Sequence, residues 1–165
     1  MPVPAMSRSL SDRRIVVKIL DDGSATGTMN FTGTGYFDAV LRRVFRELTE
    51  DELRMRWEQY LGNFEVPVKM LSGAGLNVDD FTEPASFSFD FSSPWLGLTT
   101  GEIMVVPVMD LPVSPCIRSL YKVSHERRHP VNIGAPCLER LTVSIEIPEG
   151  FEVISRPGDA RVEVD

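Results

Sequence analysis

The chain has 165 residues, of which 42% are hydrophobic and 25% are charged, enough to fill the core of one domain. Its 24 acidic and 17 basic residues leave a formal net charge of −7, which repels polyphosphate and argues against a nucleic-acid partner. No apolar run approaches the roughly 20 residues that a membrane-spanning helix needs. Strand-like residues lie close to both ends, so we expect 1–165 to be a single domain from a larger protein.

The first element that the sequence predicts is an antiparallel hairpin. Arg14 to Leu20 is rich in β-branched residues, and Asp21-Asp22-Gly23 follows as a hairpin turn signal. In residues 23–33, Thr, Met and Phe are spaced as in a second strand. Gly27 within it predicts either a bulge or a point where another group approaches the backbone closely.

The hydrophobic period changes at residue 36, which predicts a two-helix segment at about 36–61. Apolar residues recur three and four positions apart over residues 36–48, with Arg42, Arg43 and Arg46 on the opposite, polar face. Thr49 and Glu52 have the spacing of a capping box, so a second helix follows. We expect it to end at Gly62 and to bury its apolar side chains: Leu53, Trp57, Tyr60 and Leu61.

The period of two returns after the helices, so the rest of the chain reads as short strands. Alternation is clearest at 85–91, where Phe87, Phe89 and Phe91 face one way. Residues 138–148 alternate in the same way, with Leu141, Val143, Ile145 and Ile147 predicted to point inward. Short strands separated by Gly and Pro are typical of a sandwich. We therefore predict a mainly β fold, an antiparallel β-sandwich with the two-helix segment inserted, and further strands at 64–70, 102–109, 120–123, 151–155 and 161–164.

Cysteine and histidine occur together in one stretch, at Cys116, His125, His129 and Cys137. Four such ligands would suit zinc, but the paired Cys-x-x-Cys spacing is absent and prolines interrupt the stretch, so we predict no metal site. Both cysteines follow prolines and neither opens a helix, which argues against a catalytic thiol, and we predict no catalytic residue. Gly33-Thr34-Gly35 lacks the Lys-Ser/Thr of a nucleotide loop, so no cofactor is predicted.

Aromatic residues between 81 and 95 suggest either a sugar-stacking platform or core packing. Alternation favours the core for the phenylalanines of 85–91. Trp95 follows Pro94 in a loop-like segment, so we keep it as a candidate surface binding residue.

Several short motifs, taken in order, resemble those of a known family. They are Asp22-Gly23-Ser24-Ala25-x-Gly27, Gly35 before the helix, Arg42 or Arg43 within it, Arg128-x-Pro130-Val131, and Ile147-Pro148-x-Gly150-Phe151. Their order resembles the domain of unknown function that follows the transglutaminase-like domain in large secreted or periplasmic bacterial proteins.

The resemblance implies a non-catalytic accessory domain, a spacer or docking module whose partner is the adjacent transglutaminase-like domain, and a periplasmic or secreted location. Two other functions stay open. One is a carbohydrate-binding module that uses Trp95, and the other is an independent thiol hydrolase that uses Cys116 or Cys137 with His125.

A disulfide between Cys116 and Cys137 is predicted from the implied compartment, where such bonds persist. The two cysteines flank a predicted hairpin at 121–131, whose paired strands would bring the sulfurs together. Such a bond would stabilise the fold by about 3 kcal/mol in the chain-entropy model. Two free cysteines are the alternative, because an even count permits a bridge without requiring one.

Overall fold

The computed structural model describes residues 9–61, 67–72, 75–107 and 138–158. Within these ranges the chain forms eight strands and two helices: β1 (Leu10–Ile19), β2 (Ala25–Gly33), α1 (Tyr36–Phe45), α2 (Glu50–Leu61), β3 (Lys69–Met70), β4 (Gly75–Asn77), β5 (Ala85–Ser93), β6 (Leu98–Thr100), β7 (Ile103–Val105) and β8 (Leu138–Glu146). The predicted mainly β composition and the two-helix segment at 36–61 are confirmed.

Six strands form one open sheet in the order β3-β5-β2-β1-β8, and β4 also pairs with β5. All neighbours are antiparallel except β1 and β8, which run parallel. β6 and β7 form a separate two-stranded antiparallel sheet, called the ribbon below. In the described part of the chain two helices, rather than a second large sheet, cover the core, so the predicted sandwich is not confirmed.

The hairpin of β1 and β2 is confirmed, and its turn shows why these residues form it. Leu20 N–H donates to the carbonyl oxygen of Ser24 (2.8 Å), while Asp22 accepts from the Ser24 N–H (2.9 Å) and hydroxyl (2.6 Å). Gly23 closes the three-residue loop with φ of 82°, a conformation that favours glycine. The pairing runs unbroken through Gly27, so there is no bulge, and a Cβ there would lie 2.6 Å from the Phe91 ring. Close approach is therefore the reason for this glycine.

The core lies between one face of the sheet and the two helices. Phe31 and Phe87 stack on neighbouring strands with ring centres 4.9 Å apart, and Trp57 of α2 lies 4.3 Å from Phe87. The predicted burial of Phe87, Phe89, Phe91 and Trp57 is confirmed. The buried apolar cluster consists of Ile15, Val17, Ile19, Ala25, Met29, Phe31, Leu41, Trp57, Ala85, Phe87, Phe89, Phe91 and Leu96.

The capping box before α2 is confirmed. Thr49 N–H donates to Glu52 Oε2 (2.9 Å), and Glu52 N–H points back at Thr49 Oγ1 (3.4 Å). In α1, however, the prediction that Arg42 lies on the polar face is wrong. Arg42 is buried, whereas Val40 and Val44 of the expected apolar face are exposed. The helix is rotated so that Arg42 reaches backbone acceptors beneath it.

Several strand predictions differ from the structure. Residues 151–158 form no strand, and Val153 and Ile154 are exposed, because no neighbouring strand in the described ranges pairs with them. Of the expected strand at 64–70, the described residues 67–70 form a strand only at 69–70. Of that at 102–109, the described residues 102–107 form one only at 103–105. Other predictions concern parts of the chain that are not described: the strands at 120–123 and 161–164, and the helix end at Gly62. The side chains of Tyr60 and Leu61, predicted to be buried, are not described either. Neither described helix has the length and hydropathy required to cross a bilayer.

Candidate functional site

Arg42 is the most highly connected polar side chain near the core. Its Nε and Nη2 donate to the two carboxylate oxygens of Asp38, each at 3.0 Å. Three backbone carbonyls complete the set: Val78 (2.7 Å), Asp80 (3.0 Å) and Glu83 (2.7 Å). The guanidinium is thus satisfied by the protein itself, and it fastens the connection between β4 and β5 onto α1.

Asp38 completes this clamp from the other side. Its Oδ1 also accepts the backbone N–H of Ala85 (2.7 Å), the first residue of β5. The hydrogen bond from Arg42 is the main cause that lowers the pKa of Asp38 below its ordinary value. Phe81 lies on the outside of the clamp, where the Arg42 guanidinium sits 4.5 Å from its ring centre. Phe81 is exposed and is part of neither the core nor an aromatic platform. Each guanidinium nitrogen donates at least one hydrogen bond within the protein, so the clamp is a structural element.

Trp95 lies in the connection between β5 and β6 and is 46% exposed, as expected for a surface residue. Its neighbours anchor the connection: the N–H groups of Leu96 and Gly97 both donate to the carbonyl oxygen of Gly23 at 2.8 Å. Leu96 itself is fully buried in the core. The segment therefore holds Trp95 at the surface on a rigid support, the tip of the first hairpin.

The ribbon that follows exposes apolar side chains on one of its faces. Pairing places Leu98 opposite Val105 and Thr100 opposite Ile103, so these four residues share a face. Leu98, Ile103 and Val105, the ribbon face, are 51–56% exposed. Met104 points to the other side and packs against the core. An exposed apolar face that begins three residues after an exposed tryptophan is the kind of surface that marks protein interaction sites.

The face of the main sheet that the two described helices leave uncovered carries a shallow groove of about 390 Å³. Lys18, Thr26 and Asp90 line it together with Val16, Thr28 and Leu71. Asp90 accepts from the hydroxyls of Thr28 (2.7 Å) and Ser72 (2.8 Å), and these bonds, that from Thr28 first, lower its pKa. Both carboxylate oxygens are therefore engaged in holding the residues after β3 to the sheet. Lys18 and the threonine hydroxyls are the groups that face the groove.

Cys116, Cys137, His125 and His129 lie outside the described residues. The disulfide between Cys116 and Cys137, and the zinc and thiol alternatives, therefore stay predictions. Across the ranges that the structure describes, no group of three or more His, Cys, Asp or Glu side chains is placed to hold a metal ion.

Sequence reasoning missed the clamp and the ribbon face. Asp38 and Arg42 are four residues apart, the spacing at which helical side chains meet, and this signal was available. The ribbon face was harder to find, because three-residue strands are too short for alternation to separate a buried from an exposed face.

The chain matches no protein-family model, no curated protein sequence and no solved structure to which it was compared. The resemblance to the domain that follows transglutaminase-like domains therefore stays a prediction.

Proposed function

We propose that this chain is a non-catalytic docking module that binds a neighbouring protein domain through Trp95 and the ribbon face. The observation that carries the proposal is the exposure of Leu98, Ile103 and Val105 together on one face of the ribbon. Exposed apolar side chains gathered in a patch are costly in water and mark interaction surfaces, whereas singly scattered ones need no explanation. The ribbon is rigid enough for docking because its opposite face packs on the core through Met104.

Following the family resemblance, the proposed partner is a transglutaminase-like domain adjacent in a larger bacterial protein, in the periplasm or outside the cell. The predicted disulfide between Cys116 and Cys137 fits that compartment. Alkylation of the unreduced protein followed by mass spectrometry tests the bond, and two alkylated cysteines would exclude it.

The second layer of the predicted β-sandwich belongs to the same proposal. The ribbon supports it as a second sheet already packed on the core.

The docking proposal is tested with the double substitution Ile103→Ser and Val105→Ser. The adjacent domain of the parent reading frame is titrated with this variant and with the unchanged chain by calorimetry. We expect binding to weaken at least about tenfold, since two anchors lose their apolar contact. Met55→Ser is the matched control, because Met55 is 55% exposed and no other large apolar side chain described on α2 is exposed. Equal affinity of the ribbon variant and the control would overturn the proposal.

A carbohydrate-binding module is the second candidate, favoured by the exposed indole of Trp95. Indole faces stack on sugar rings, and the polar groove beside Lys18 offers hydroxyl and ammonium groups to a glycan. The test is a glycan array probed with the unchanged chain, with Trp95→Ala and with Tyr36→Ala, whose ring is similarly exposed. Binding that only Trp95→Ala abolishes would establish this function in place of docking. The thiol hydrolase alternative rests on Cys116, Cys137 and His125 alone.

A further inference from the structure

The outer edge of β8 is unpaired within the described part of the chain. β8 is the last strand of the sheet, with β1 on one side only. Leu138 N–H donates to the carbonyl oxygen of Ser9 on the β1 side (2.8 Å). Because backbone groups alternate along a strand, residues 139, 141, 143 and 145 direct their N–H and C=O groups toward the open edge. Such a row of free groups is a template for pairing with another strand.

After Glu139, the side chains of β8 lack the devices that usually protect an edge. Proteins block edge pairing with prolines, bulges or charged side chains that point toward the core face. β8 contains no proline, and its core-face positions are Glu139, which pairs with Arg13 of β1 (3.4 Å), followed by Leu141, Val143 and Ile145. Leu141 is 46% exposed and Ile145 is 37% exposed, so this edge is apolar as well as open. A strand that paired here would cover both.

The sequence of β8 is complementary to itself. When two copies run antiparallel with Val143 opposite Val143, Leu141 faces Ile145 of the second copy and Thr142 faces Ser144. The same register sets Arg140 opposite Glu146. A two-fold axis repeats each of these pairs, and aliphatic, hydroxyl and opposite-charge pairs are the cross-strand combinations that stabilise sheets.

Charges on the neighbouring strand extend this complementarity. Within one chain, Asp12 of β1 lies beside Arg140 and Lys18 lies beside Glu146. A row of four charged side chains then crosses the dimer interface: Asp12 and Arg140 of one copy, followed by Glu146 and Lys18 of the second. The signs alternate along the whole row, and the axis generates a second such row.

Other antiparallel registers lose these pairs. With Thr142 on the axis, Arg140 faces Ser144 of the second copy, so its charge meets no opposite charge. With Ser144 on the axis, Glu146 faces Thr142 and Arg140 faces Pro148, so neither charge meets an opposite charge. Only the register centred on Val143 combines apolar, hydroxyl and charge pairing.

We infer that β8 pairs with β8 of a second copy of this chain, antiparallel and centred on Val143, to form a two-fold symmetric dimer. The two sheets become one continuous sheet with the helices of both copies on the same side. This surface is separate from the ribbon face, so the dimer stands or falls independently of docking. One strand pair makes a small interface, and we expect the dissociation constant of the dimer to be about 10–100 µM.

Sedimentation equilibrium of the unchanged chain from about 1 to about 300 µM tests the dimer. We expect the average mass to rise from 18.5 kDa toward twice that value. Val143→Lys places two ammonium groups opposite each other on the axis and should abolish the rise. Met55→Lys, which adds the same charge on α2, should leave it intact. Circular dichroism verifies that each variant is folded.

A mixing experiment tests the register. Arg140→Glu alone and Glu146→Arg alone each create two like-charge pairs in their own dimer, so each should remain monomeric. An equimolar mixture should dimerise, because every pair in the mixed dimer then has opposite charges. A mass that stays at one chain for the unchanged protein overturns the proposal and assigns the edge to another segment or another protein. A dimer that ignores Val143→Lys and the charge variants overturns it equally.

Discussion

The covered centre of the sheet and its uncovered periphery carry similar side chains, yet they differ in burial. Ile15 of β1 and Val143 of β8 lie side by side in the same row. Ile15 is 1% exposed, whereas Leu141 and Ile145, on either side of Val143, are 46% and 37% exposed. The difference is cover, because α1 packs on β2 and β5 while β8 lies beyond the helices. Alternation determines which face of a strand is apolar, and a second layer determines whether that face is buried.

Removing the helix side chain that covers the centre of the sheet should have the largest effect on the free energy of unfolding. Trp57→Ala deletes the indole that packs on Phe87 and Phe89, and we expect the free energy of unfolding to fall by about 3–5 kcal/mol. Met55→Ala on the exposed side of the same helix should change it by less than about 0.5 kcal/mol. Urea denaturation followed by circular dichroism measures both. Similar losses for the two variants would mean that α2 does not supply the cover.

Two turns that each contain a glycine allow the same comparison between a packed and an open position. Gly23 and Gly101 both have positive φ, 82° and 63°. A Cβ at Gly23 would overlap the carbonyl oxygen of Gly97, whereas a Cβ at Gly101 meets nothing within 4 Å. We expect Gly23→Ala to lower the free energy of unfolding by at least about 2 kcal/mol and Gly101→Ala by about 1 kcal/mol. Equal losses in urea denaturation would show that the positive φ angle alone destabilises Gly23→Ala and that the contact with Gly97 does not contribute.

A matched pair across one row compares the two regions directly. Val17 of β1 and Ile145 of β8 are neighbours, the first fully buried and the second partly exposed. We expect Val17→Ala to lower the free energy of unfolding by about 2 kcal/mol and Ile145→Ala by less than about 1 kcal/mol. The measurement is made near 1 µM, where pairing through β8 contributes little. A larger loss for Ile145→Ala would show that β8 is covered in solution.

The clamp at the centre should make stability depend on pH. The pKa of Asp38 is lowered in the fold, chiefly by Arg42, so its stabilisation is fully present above the unfolded pKa near 4. It is lost as the pH falls through the lower folded pKa. Thermal unfolding should show Asp38→Asn less stable by a few degrees at pH 7, with the difference shrinking as the pH falls below about 4. A difference that stays constant would show that the charge of this carboxylate does not stabilise the fold.

For the candidate site, the sequence placed Trp95 correctly but did not reveal its setting. Pro94 and the loop-like composition around it indicated a surface residue, which is a local property. The support from Gly23 depends on contacts between segments more than seventy residues apart along the chain. Sequence spacing carries no information on such contacts.

The sequence by itself determined the elements whose signals are local. The hairpin at Gly23, the capping box at Thr49 and the alternation through Phe87, Phe89 and Phe91 were read correctly, because period, turn chemistry and caps act within a few residues. Only the tertiary structure decided that Arg42 is buried, since its carbonyl partners come from residues 78–83. It also decided that β8 joins β1 in parallel and leaves its apolar side partly exposed. Those outcomes depend on which distant segment supplies a partner. The alternation of apolar and polar residues along a strand is the same whether or not such a partner is present.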